Sequence, residues 1–89
     1  MIKVLIAEDE PLSLQNLTGH LRRLLGADAL IEGAANGREA VDMARRIRPQ
    51  LVLMDISLPF FNGYHWCSEI RRVSRVPIIF LSSAADNMN

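Results

Sequence analysis

Apolar and polar positions along the chain alternate between short continuous runs and runs with helical spacing. Ile2 to Ala7 is almost wholly apolar and β-prone, broken only by Lys3, and it stops on Glu8-Asp9-Glu10. Pro11 suits a first helical position, where no backbone donor is needed. From there Leu14, Leu17, Leu21 and Leu24 or Leu25 recur at three- and four-residue steps, which predicts an amphipathic helix ending near Gly26. Ala29 to Ala34 reads as a short strand. Asn36-Gly37-Arg38-Glu39 then has the form of a capping box, opening a helix with Ala40, Val41, Ala44 and Ile47 on one face. That helix must halt before Pro49. Leu51 to Met54 is a third strand, apolar on both faces, and it too stops on an acid, Asp55.

A loop with turn residues at both ends follows, Ser57-Leu58-Pro59-Phe60-Phe61-Asn62-Gly63. A third helix is predicted from about Tyr64 to Val73, with Trp66, Ile70 and Val73 facing inward. Pro77 introduces a fourth strand, Ile78 to Leu81, that ends on Ser82-Ser83. Ala84 to Asn89 reads as the first turn of another helix, with Ser83 and Asp86 as a cap pair. Strands apolar on both faces, alternating with helices, predict an α/β fold: a parallel sheet covered by helices on both sides.

Composition narrows the class without changing that picture. At 89 residues the chain makes one domain at most, and 49% apolar with 22% charged residues is globular composition. Ten Lys and Arg balance ten Asp and Glu, so no basic field draws nucleic acid. The apolar runs are too short to cross a membrane, and the early acids exclude a secretory signal. Cys67 stands alone, which excludes a disulfide framework and makes a reducing cytoplasm the expected compartment.

The chemistry gathers at the strand ends, where open parallel sheets place their sites. Glu8 and Asp9 follow the first strand, Asp55 the third and Ser82 the fourth. If those strands are neighbours, the groups converge. Carboxylates that close repel by about 4 kcal/mol per pair at 4 Å with an effective dielectric of 20. A hard divalent cation relieves this, and Mg²⁺ prefers oxygen ligands with several waters retained. Taken singly, each acid is also what a solvated turn would carry.

The residues resemble the receiver (phosphoacceptor) domains of two-component response regulators. Glu8-Asp9-Glu10-Pro11 is similar to the acidic pair that ends the family's first strand. Asp55-Ile56-Ser57-Leu58-Pro59-Phe60-Phe61-Asn62-Gly63 is similar to its phosphoacceptor segment. Val76 to Ala84 is similar to its fourth strand, with the terminal hydroxyl. The resemblance implies a flavodoxin-like parallel sheet with order 2-1-3-4, whose fifth strand and last helix are missing from residues 1–89, an incomplete receiver domain. It implies Asp55 as the phosphoacceptor for a sensor histidine kinase or small phosphodonor, and Mg²⁺ held by Asp9, Asp55 and the Ser57 backbone carbonyl, with Glu8 ligating directly or through water. Ser82 would contact the phosphoryl group, and an effector domain or downstream protein would receive the signal. The family's strand-five lysine has no counterpart, since the only lysine is Lys3. Two further expectations follow: association of copies, or strand exchange, through an open edge of the fourth strand, and a rival function as a phosphorylation-incompetent interaction module.

Other features have plainer readings. The arginine clusters Arg22-Arg23, Arg45-Arg46 with Arg48, and Arg71-Arg72 with Arg75 fall in last helical turns, where cations complement the dipole. His20 and His65 lack neighbours at metal spacing, and Cys67 reads as packing. Phe60, Phe61, Tyr64 and Trp66 form an aromatic run that is part core and part cover, with a partner surface as the alternative. A phosphatase of the haloacid dehalogenase type needs an acid two residues after its nucleophile, where this chain has Ser57. No glycine follows the first strand to cradle a dinucleotide. The chain therefore reads as a signalling domain and not as an enzyme.

Overall fold

The computed structural model describes residues 1–58 and 60–82. Four strands and three helices alternate: β1 (Lys3–Ala7), α1 (Pro11–Leu25), β2 (Leu30–Ala34), α2 (Gly37–Ile47), β3 (Leu51–Asp55), α3 (Gly63–Arg71) and β4 (Ile78–Leu81). The expected helical turn at Ala84 to Asn89, with its Ser83–Asp86 cap, lies outside the described residues. All strand pairs are parallel, in the order β2-β1-β3-β4. That order places β1 and β3 in the interior, which is why their sequences are apolar on both faces.

Period-two alternation divides the core into two layers. Val4, Ile6, Ile31 and Leu53 face α1, whose Leu14, Leu17, Leu21 and Leu25 complete that layer. Leu5, Ala7, Ala34, Val52 and Met54 point the other way, into Ala40 and Ala44 of α2 and Trp66 and Ile70 of α3. Val4, Leu5, Ile6, Val52 and Met54 are wholly buried. Each such side chain contributes about 1.5–3 kcal/mol of transfer free energy, and together they hold the two interior strands in register. Among the described residues no helix is long and apolar enough to cross a membrane.

The helix starts follow local chemistry. Asn36 Oδ1 accepts from Glu39 N at 2.9 Å, and Glu39 Oε1 accepts from Ala35 N at 3.0 Å, one residue beyond the usual reciprocal partner, the amide of Asn36 itself. Glu10 is the N-cap of α1, its side chain accepting from Ser13 N at 2.9 Å. Asn62 caps α3 through His65 N. Two expectations need correction. The third helix ends at Arg71, and Val73 is 38% exposed instead of facing inward. The chain turns there because Arg72, Val73 and Ser74 amides fold back onto the Glu69 and Ile70 carbonyls, which swings Val73 off the helical stripe.

Candidate functional site at the strand carboxyl ends

Because β1 and β3 pair directly, with Ala7 opposite Met54, the residues that follow them emerge side by side. One ligand atom from each of Glu8, Asp9 and Asp55 lies within 4.8 Å of the others. Asp55 is 3% exposed and Glu8 9%, while Asp9 is open to solvent. The site is thus a shallow acid pocket with two walls in the fold and one in water.

Backbone hydrogen bonds fix both inner carboxylates. Asp55 Oδ1 accepts from Ser57 N at 3.0 Å, and Glu8 Oε2 accepts from Glu10 N at 3.1 Å. Glu8 is itself tied to β2 by its amide, 3.0 Å from the Ala34 carbonyl. Burial pushes the Glu8 carboxyl up from 4.5 to about 7. The Glu10 amide opposes this, and the charge of Asp55, a hydrogen bond shared with it, and the charge of Asp9 add to it. Glu8 is therefore harder to ionise than a free carboxyl, and the pocket's donors are all hard carboxylate oxygens. Both properties fit Mg²⁺, which takes oxygen ligands and keeps water on its open side.

Ser57 lies in the turn after β3, with its amide committed to Asp55. Ser82 follows Leu81, which pairs with Asp55, and the Ile56 amide bonds the Leu81 carbonyl at 3.0 Å. Ser82 is exposed and shares with Glu8, Ser13, Asn16, Leu17 and His20 the lining of a 330 Å³ recess. The residues given a site role from sequence, Glu8, Asp9, Asp55, Ser57 and Ser82, thus fall at one end of the sheet. Glu10 does not join the acid cluster, because its carboxylate is spent on the cap. Lys3 is at the opposite end, its Nζ donating to the Ile47 carbonyl.

Gly63 was legible only as a turn residue, yet it shapes the pocket. A Cβ there would stand 2.5 Å from the Asp55 carbonyl oxygen and 3.0 Å from Ile56 Cα. The Gly63 amide also bonds the Ile56 carbonyl at 2.8 Å. The start of α3 thus presses directly on the backbone that carries Asp55, a contact that only glycine allows.

Comparison with known proteins agrees with this geometry. The response regulator receiver domain family matches residues 4–89. The chain is 39% identical over its full length to the "Uncharacterized transcriptional regulatory protein YvcP" of Bacillus subtilis, and covers 36% of that protein. It superimposes on the N-terminal domain of the nisin resistance regulator NsrR with a TM-score of 0.72 and 35% identity, covering all of this chain and 73% of that one. A response regulator N-terminal domain from Carboxydothermus hydrogenoformans gives a TM-score of 0.82 at 27% identity, covering 98% of this chain and 69% of that one. The chain spans a little over a third of the length of the curated relatives it matches. With the sheet order, the acid pocket and the family match in agreement, this chain belongs to the receiver domains of the response regulators.

Proposed function

We propose that this domain is a phosphorelay switch of the cytoplasm that takes a phosphoryl group on Asp55 from a phosphohistidine of a sensor histidine kinase, or from a small phosphodonor. The observation that carries this is the convergence of Glu8 and Asp9 on a nearly buried Asp55 whose one oxygen is pinned by the Ser57 amide. Receiver domains of response regulators act with histidine kinases and effector domains, which sets the class of partner on each side.

The pinned Oδ1 orients the Asp55 carboxylate, leaving Oδ2 to attack phosphorus. The P–N bond of the donor breaks as the O–P bond forms, and its electron pair leaves with the imidazole nitrogen. Asp9, Asp55 and the Ser57 carbonyl would hold Mg²⁺, with Glu8 bound directly or through water. When bound, the ion supplies positive charge that offsets the charge on the transferring oxygens. Ser82 would donate a hydrogen bond to the arriving phosphoryl group from the end of β4. The group brings about −1.5 to −2 charge, and drawing Ser82 toward it biases the surface that an effector reads. No catalytic turnover on an outside substrate is assigned.

Intact mass before and after incubation with Mg²⁺ and a small phosphodonor tests this, with Asp55→Asn as control. One added phosphoryl group, absent in the control, is expected. An unchanged mass for the folded wild-type chain, or equal uptake by Asp55→Asn, would overturn the assignment. The first result would favour constitutive binding without phosphorylation.

A further inference from the structure

The end of the sheet opposite the acids carries an open recess of about 520 Å³, where α2 and α3 run out beside the starts of β3 and β4. Arg45, Arg48 and Arg75 line it together with Ser74, Pro49 and Val73, and among the described residues no acid does. All three arginines are exposed. Among the described residues none of their guanidinium groups joins an ion pair or a hydrogen bond, whereas those of Arg22, Arg23, Arg46, Arg71 and Arg72 each do.

The internal uses open to these cations are already filled. Lys3 Nζ meets the Ile47 carbonyl at the end of α2 at 3.1 Å. The amides of Arg72, Val73 and Ser74 return to the Glu69 and Ile70 carbonyls at the end of α3. The acids of the two helices are engaged as well: Glu39 with the Ala35 amide, Asp42 with Arg46 at 3.7 Å, and Glu69 with Arg72 at 3.8 Å. Arg48 also holds its place at a cost. It is the C-cap of α2 and lies in the left-handed region, with φ of 51° and ψ of 64°, where glycine or asparagine is the usual choice. A guanidinium kept on a backbone that suits glycine, with no partner in the fold, points to a partner outside it.

We infer that this recess binds a multiply charged phosphate-type anion, either a free oligophosphate or the phosphate chain of a nucleotide. Guanidinium groups present forked donors that match phosphoryl oxygens, and three like charges around one recess repel until an anion enters. Ser74 Oγ accepts from the Val76 amide at 3.1 Å, which leaves its hydroxyl hydrogen to donate to the same anion. Pro49 and Val73 give the recess an apolar side, the surface on which a base would lie. The site is separate from the Asp55 pocket, so its occupancy does not depend on phosphoryl transfer there.

The test is calorimetric titration of the whole chain in metal-free buffer at constant ionic strength, with amide NMR to locate the site. One arm uses inorganic tripolyphosphate and the other a nucleoside triphosphate. Saturable binding is expected, with shifts at Arg48, Ser74 and Arg75 and none at Asp55. Equal affinity in the two arms assigns a free oligophosphate, and tighter binding of the nucleotide assigns the nucleotide. Arg48→Gly removes the guanidinium and suits the left-handed backbone, so it should keep or raise the urea midpoint while weakening binding about tenfold or more. Arg75→Ala, beyond the end of α3, should weaken it comparably. Arg23→Ala removes the same charge from α1 and should bind as the wild type does. Four outcomes would overturn the inference: no saturable binding in either arm, shifts centred elsewhere, wild-type affinity in Arg48→Gly or Arg75→Ala, or an equal loss in Arg23→Ala.

Discussion

Replacing Glu8 by Gln probes the pocket's electrostatics without disturbing its shape. The amide keeps an oxygen for the Glu10 N–H and gains a donor for the neighbouring carboxylates. In the wild type the folded state raises the Glu8 carboxyl from 4.5 to about 7. Between those values the native state binds more protons than the unfolded chain, so metal-free stability falls as pH rises from 4.5 to 7 and stays lowered above it. At about 1.36 kcal/mol for each tenfold change in proton affinity, the upper bound on that loss is roughly 3 kcal/mol. The mouth of the pocket is open at Asp9, and solvent screening brings the expected effect to on the order of 1–2 kcal/mol. Glu8→Gln should therefore be more stable than wild type by that amount near pH 8, and nearly equal to it near pH 4. Urea unfolding in chelator, followed by Trp66 fluorescence and far-UV circular dichroism, measures both. A gain that is the same at the two pH values, or a loss near pH 8, would refute the electrostatic reasoning.

Three other perturbations follow from contacts already described. Asp9→Ala removes the solvent-side carboxylate, so Mg²⁺ should stabilise the variant against heat less than it stabilises the wild type; equal metal-induced shifts would exclude Asp9 as a ligand. Gly63→Ala drives a methyl group to 2.5 Å from the Asp55 carbonyl and should cost about 1–3 kcal/mol as an overpacked contact. Its phosphoryl uptake should slow as well, and a stability within error of wild type would show that the α3 start yields freely. Asn36→Ala deletes the bond to the Glu39 amide and should cost about 1 kcal/mol, read from the urea midpoint at constant slope.

What could be read from the chain alone depended on how local its cause was. The interior strands show as apolar runs because both faces of β1 and β3 are covered, and Pro11 and Asn36 mark helix starts through backbone chemistry confined to a few residues. The meeting of Glu8, Asp9 and Asp55 needed the strand order, which spacing left conditional and the family resemblance supplied. Three features stayed hidden because long-range packing decides them. Val73 falls on the inward stripe by helical counting, but the carbonyls of Glu69 and Ile70 turn the chain before it arrives. Gly37 is needed for the face of Trp66, a residue 29 positions further on. Phe60 adopts a backbone conformation that its own side chain disfavours, so nothing in its neighbours' identities announces it. Glu10 is a different case: an acid just before a proline-started helix is a capping signal, and it was masked by the acids beside it.

The register of the sheet also sets which parts of the molecule last longest between openings. Asp55 ends a strand hydrogen-bonded on both sides, to β1 and to β4, whereas Ser82 follows a strand with one such neighbour among the described residues. Doubly paired interior strands stand at the slow end of amide exchange, with opening free energies that approach the stability of the whole domain. The carboxylate proposed to receive the signal is therefore built into the most permanent part of the fold. A receiver arranged this way keeps the geometry of that carboxylate for the lifetime of the folded chain.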